Sequence, residues 1–193
     1  MGEVPIRIRN SCTEWGIISQ SVHWLTVVLV FATIAVALIM VELPLGVRKL
    51  ELYALHKSVG VLILGLTVAR LAWRLSGPRP MALGPSRAYE RVLAHIVHGA
   101  FYGVLIALPL TGWLMSSAAN FSVSVFGLFT LPDLVAPDKA LEDRFKAIHG
   151  WLAWGLGGLL VLHVVGALKH HFVLGNDTLR RMVPGWSGRR QDR

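Results

Sequence analysis

The chain has 193 residues, 54% of them hydrophobic and 16% charged, with a mean hydropathy of +0.57. Soluble domains carry about 25% charged residues, so this composition excludes an ordinary water-soluble domain; a single cysteine, Cys12, excludes an internal disulfide framework and any cysteine-built metal or iron–sulfur site. The formal charge of +8 does not mark a nucleic-acid partner, because the basic residues stand in short clusters between apolar runs.

Residues 1–20 are polar and read as a cytoplasmic N-terminal segment without a cleavable leader. Four apolar segments follow, each able to supply the roughly 20 helical residues that cross a bilayer. The first, Ser21–Val41, opens with SVHW and places His23 at its start. The second, Leu52–Leu75, has His56 and Lys57 near its start, and the third, Val92–Ser117, carries His95 and His98 one turn apart. Between the third and fourth lies FSVSVFGLFTLPDL, broken by Gly127, Pro132 and Pro137. It reads as an interfacial loop with a short helix on the outer surface. The fourth, Phe145–Leu168, contains IHGWLAWGLGGLLVLH, an apolar stretch bounded by His149 and His163. Lys169, His170 and His171 then meet the interface, and residues 173–193 form a basic cytoplasmic tail. The spans lack the alternation of strands, and an open sheet cannot satisfy its backbone in lipid. The expected fold is therefore an all-α membrane protein, a four-transmembrane-helix bundle over residues 21–172.

Lysine and arginine set the expected orientation. One side holds Arg7, Arg9, Arg70, Arg74, Arg79, Arg87, Arg91, Lys169, Arg180, Arg181, Arg189, Arg190 and Arg193, against Arg48, Lys49, Lys57, Lys139, Arg144 and Lys146 on the other. Thirteen against six puts both termini in the cytoplasm.

Ionisable side chains inside a membrane are costly and point to function. His149 and His163 are 14 residues apart, about 21 Å of rise and roughly 40° short of four turns, so they face nearly one way at opposite depths. His56 is level with His149 at the outer side and His23 with His163 at the inner. Two neutral imidazoles make a six-coordinate haem iron suited to electron transfer, and two such centres would form a path across the membrane. Gly60, Gly99, Gly103, Gly155 and Gly158 could leave room for a macrocycle, although small residues also simply let helices approach. Depth alone does not fix the inner pair, because His95 and His98 lie near the same side and His95 competes with His23 as partner of His163.

SVHW at 21–24, LHKSVGVLILGLTVARL at 55–71, AHIVHGAFYGVLIALPLTGWLM at 94–115, LHVVGALKHHF at 162–172 and NDTLRRMVP at 176–184 together resemble the bacterial cytochrome b561 family, in the expected order and over nearly the whole chain from Ser21 to Pro184. The resemblance implies an inner-membrane cytochrome with two haem b groups whose axial ligands match His23, His56, His149 and His163, which sets His95 and His98 aside. It also implies electron transfer between a periplasmic-side donor and quinone, in some members oxidation of superoxide with ubiquinone as acceptor. His170 matches the histidine near the quinone end, and Ser21 is a second candidate contact there. The expected activity is thus that of an oxidoreductase of the superoxide:quinone type, whose partners are lipid, ubiquinone and superoxide or another periplasmic donor.

Lys57, Arg144 and Lys146 lie near the expected outer centre and could steer an anion toward it; the other reading is that they snorkel to headgroups. A membrane anchor and electron conduit for a separate hydrogenase or dehydrogenase shares the same ligands. A transporter is disfavoured, because no broken span carries acids at the midplane.

Overall fold

The computed structural model describes residues 7–81 and 88–184. Arg87, Arg189, Arg190 and Arg193, and the tail beyond Pro184, lie outside the described residues. Four long helices follow in order: α1 Ile17–Glu42, α2 Val47–Leu75, α3 Ala88–Ala118 and α4 Lys139–Leu168. All four are long and apolar enough to cross a membrane, giving the four-helix membrane bundle expected from the apolar segments. Each helix packs on its neighbour in sequence, α1 on α2, α2 on α3 and α3 on α4, and the outward faces are apolar. Trp151 and Trp154, for example, are 78% and 80% exposed, as suits a surface covered by lipid.

The helices begin earlier than the apolar runs do. Helix α4 starts six residues before Phe145 because Asp138 caps it, its Oδ1 accepting from the backbone N–H of Ala140 (2.7 Å) and Leu141 (3.0 Å). Lys139, Glu142 and Asp143 then pair among themselves on its first turns.

The α3–α4 connection is not a short helix. It folds as a β-hairpin, β1 Val123–Val125 against β2 Phe129–Leu131. VSVFGLFTL is rich in β-branched and aromatic residues, and Phe126 (φ 50°) and Gly127 (φ 73°) both take the left-handed region. That is the turn chemistry a tight hairpin requires. The expectation of a helix rested on apolarity, which does not distinguish the two periods. Val123 and Val125 are buried, and Ser58 of α2 clamps the hairpin: its hydroxyl donates to the Ser124 carbonyl (3.1 Å) and accepts from the Phe126 N–H (2.9 Å). Ser58 is 2% exposed, so Ser58→Ala removes its bonds to two part-buried backbone groups and should cost about 1 kcal/mol. Thermal unfolding of the detergent-solubilised chain measures this; an unchanged midpoint would mean that the hairpin is held otherwise.

At the opposite end the N-terminal segment, the residues after α2 and the C-terminal segment meet. The Met81 N–H donates to the Cys12 carbonyl (2.9 Å), Gln20 Nε2 to the Arg181 carbonyl (2.9 Å) and Trp24 Nε1 to the Met182 carbonyl (2.7 Å). Arg181 itself donates to the carbonyls of Thr13 and Met81. The segment NDTLRRM thus closes the terminal end of the bundle.

Candidate functional site

Residues seven apart recur on the inward faces: His149, Leu156 and His163 on α4, His56, Ile63 and Arg70 on α2, and His23 and Val30 on α1. Seven residues are nearly two turns, so each series stays on one face. Val30, Ile63 and Leu156 are the buried core. The interior is therefore layered: histidines near the hairpin end, an apolar midplane, and histidines with Arg70 toward the terminal end.

In the hairpin-end layer the His56 and His149 ring centroids are 6.3 Å apart at an interplanar angle of 68°. Each ring is fixed by the same device on a different helix. His56 Nδ1 lies 3.2 Å from both the carbonyl and the hydroxyl of Thr33; His149 Nδ1 lies 3.1 Å from the Leu108 carbonyl and 3.2 Å from the Thr111 hydroxyl. An Nδ1–H donated to a carbonyl leaves Nε2 with its lone pair free, the tautomer of a metal-binding imidazole. The local sequence LPLTG explains the seat of His149. Thr111 turns its hydroxyl back onto the Leu108 carbonyl (2.9 Å), Pro109 stands inside the helix, and Gly112 admits the ring, since a Cβ there would stand 3.3 Å from His149 Cε1.

In the terminal-end layer His23 and His163 stand 6.2 Å apart, again at 68°. They line a cavity of about 630 Å³ together with His98, Arg70, Arg74, Phe101 and Tyr102, a volume in the range of cofactor sites.

An imidazole ring centre lies roughly 3 Å from a metal held by its nitrogen, so two imidazoles on opposite sides of one metal set their centroids roughly 6 Å apart. Both pairs meet that spacing. Among the described residues no group of three or more His, Cys, Asp or Glu is placed to hold a bare metal ion. Two imidazoles alone suit a metal that brings its own equatorial donors, as haem iron does. A Cβ at Gly60, Gly99, Gly103, Gly155 or Gly158 would meet nothing within 4 Å, so these positions border open space. The chain's residues fit the expected cofactor.

The structure brings His98, rather than His95, close to His163, at 5.5 Å between centroids; His95 bonds back to the Arg91 carbonyl of its own helix (2.7 Å). His170 lines the same cavity, on the wide turn Lys169–Val173, and its Nδ1 receives Asn176 Nδ2 at 3.0 Å. Ser21 is exposed, whereas Ser19, two residues earlier, lines the cavity. His171 stacks edge-on with Phe172. At the other end Lys57 is committed to the hairpin: its Nζ donates to Ser116 Oγ and the Ser122 carbonyl, both at 3.1 Å, and sits 5.7 Å from the Phe121 ring. Arg144 and Lys146 are exposed.

Sequence reasoning missed Thr33, Thr111, Gly112 and the cavity arginines. The signals were present: hydroxyls in otherwise apolar spans, a proline and glycine flanking one of them, and an arginine at the same seven-residue period as the histidines.

The family model for prokaryotic cytochrome b561 matches residues 14–185. The chain is 38% identical to cytochrome b561 homolog 2 of Escherichia coli K12 over 90% of its length and 93% of that protein's. It is 33% identical to a probable superoxide oxidase of Yersinia pestis over 91% and 96%, and 28% identical to cytochrome b561 homolog 1 of E. coli K12 over 84% and 92%.

Proposed function

Because the chain belongs to the prokaryotic cytochrome b561 family, a family of multi-pass inner-membrane electron-transfer proteins that carry haem b, we propose that it moves electrons from the periplasmic side to ubiquinone and that its donor is superoxide. The observation that carries the reading is the pair of matched imidazole spacings, 6.2 and 6.3 Å, at two depths of one bundle. His56 with His149, and His23 with His163, would hold two b haems. When bound, these supply one-electron chemistry at iron, tuned by the axial ligands and their surroundings.

The remaining residues divide the work by end. Thr33, Thr111 and Leu108 hold the outer imidazoles in one tautomer and orientation, so ligation costs little rearrangement. The apolar layer of Val30, Ile63 and Leu156 keeps water from crossing between the two centres. Arg144 and Lys146, exposed at the hairpin end, raise the local concentration of a small anion, while Lys57 is occupied in holding the hairpin. With both termini cytoplasmic, as the basic residues imply, the cavity opens at the inner leaflet, where an apolar quinone can enter from lipid. His170 stands there with Asn176 on Nδ1, leaving Nε2–H to meet a quinone oxygen and to pass it a proton. The name carried by the Yersinia relative supports superoxide as donor.

The test is the purified chain alone in liposomes loaded with ubiquinone and exposed to a superoxide source. Quinol should form without any added protein, and dioxygen should be released. A chain that passes electrons only when a hydrogenase or dehydrogenase subunit is added is an anchor and conduit instead.

A further inference from the structure

Arg70 and Arg74 are the unexplained charges of the interior. They lie one turn apart on α2, within the membrane-spanning stretch, and both line the 630 Å³ cavity. Arg70 occupies on α2 the place that His163 occupies on α4, fourteen residues beyond the outer histidine of its helix. Arg74 stacks on Tyr102, its Cζ 5.8 Å from the ring centre. Neither arginine is in an ion pair among the described residues. Glu90, the one described carboxylate in the cavity lining, is held by Lys169 at 2.8 Å. Two guanidiniums on the last two turns of a membrane-spanning helix, lining a largely apolar cavity with no carboxylate paired to them among the described residues, are unfavourable. They call for an occupant that brings anions, and planar guanidinium forks match carboxylates.

We infer that Arg70 and Arg74 form the carboxylate-binding edge of the inner cavity and receive the two propionates of the haem between His23 and His163. The inference rests on the dihaem reading above, and the geometry narrows the source of the anion. The arginines share one cavity with the ligand pair, whereas a lipid phosphate would have to leave the headgroup layer to reach Arg70. Positive charge beside the iron also favours its reduced state, so the pair raises the potential of the inner centre above what it would be without them.

The test uses the full chain carrying His56→Ala, in which the inner haem is the one retained, in nanodiscs of neutral lipid. Potentiometric titration followed in the visible bands should show a lower midpoint for Arg70→Gln/Arg74→Gln, with the low-spin bis-imidazole spectrum kept. Arg70→Lys/Arg74→Lys should return most of the shift. If the glutamine variant instead loses its haem while the lysine variant keeps it, the same anchoring is shown by retention. An unchanged midpoint with haem retained overturns the inference, as does a shift seen only when anionic phospholipid is added, which would assign the pair to lipid headgroups. A His56→Ala chain that holds no haem before either arginine is touched would strike the dihaem reading itself.

Discussion

His56→Ala should lower the haem content from about two per chain to about one, and His23→Ala should do the same by removing the other centre. An axial imidazole is a bond to iron, not a packing contact, and a methyl group leaves the opposite histidine with a five-coordinate metal in a half-empty site. The two losses should be independent, because Val30, Ile63 and Leu156 separate the layers and neither pair shares a residue with the other. His98→Ala decides the pairing. His98 is nearer to His163 than His23 is, 5.5 against 6.2 Å, yet the longer spacing is the one that matches the outer pair and the roughly 6 Å required for a metal between two rings. His98→Ala and His95→Ala should therefore retain both haems. Loss of a haem in His98→Ala, with His23→Ala unaffected, would assign the inner site to His98.

His170→Ala should slow oxidation of the reduced protein by ubiquinone by about a hundredfold, the lower end of what a positioned proton donor contributes, while reduction by superoxide stays near normal. The residue lines the cavity, its Nδ1 is satisfied by Asn176, and its other nitrogen is the one available to a quinone. Reversing charge at Arg144 and Lys146 should do the opposite, slowing reduction by superoxide in a manner that fades as salt screens the field. Stopped-flow traces of the two half-reactions separate these outcomes. Unchanged quinone reduction in His170→Ala would remove the site from this end of the cavity without touching the haem ligands.

The spans were legible because lipid imposes a long, simple pattern: apolar runs of sufficient length must be helices. The depth of each histidine followed from its place in a run, and the fourteen-residue spacing of His149 and His163 followed from helix geometry alone. The connection between α3 and α4 was not legible in the same way. Val123, Val125 and Phe129 are as apolar as a membrane helix, and the hairpin turn depends on the positive φ of Phe126 and Gly127, which composition does not announce. The seats of the outer histidines were hidden for a different reason. Thr33 and Leu108 contact His56 and His149 from the preceding helix, in a packing register that only the three-dimensional structure reveals. Arg70 was counted among the residues that orient the chain, and its position facing the inner cavity emerges only when α2 is set beside α4.

The central claim is that the bundle holds two b haems, each between two histidines. A reduced-minus-oxidised absorbance spectrum of the purified chain, combined with a haem-to-protein ratio, measures it directly. The account predicts about two non-covalent, low-spin, six-coordinate haems per chain. A ratio near one, or a spectrum of a five-coordinate or covalently attached haem, would contradict it.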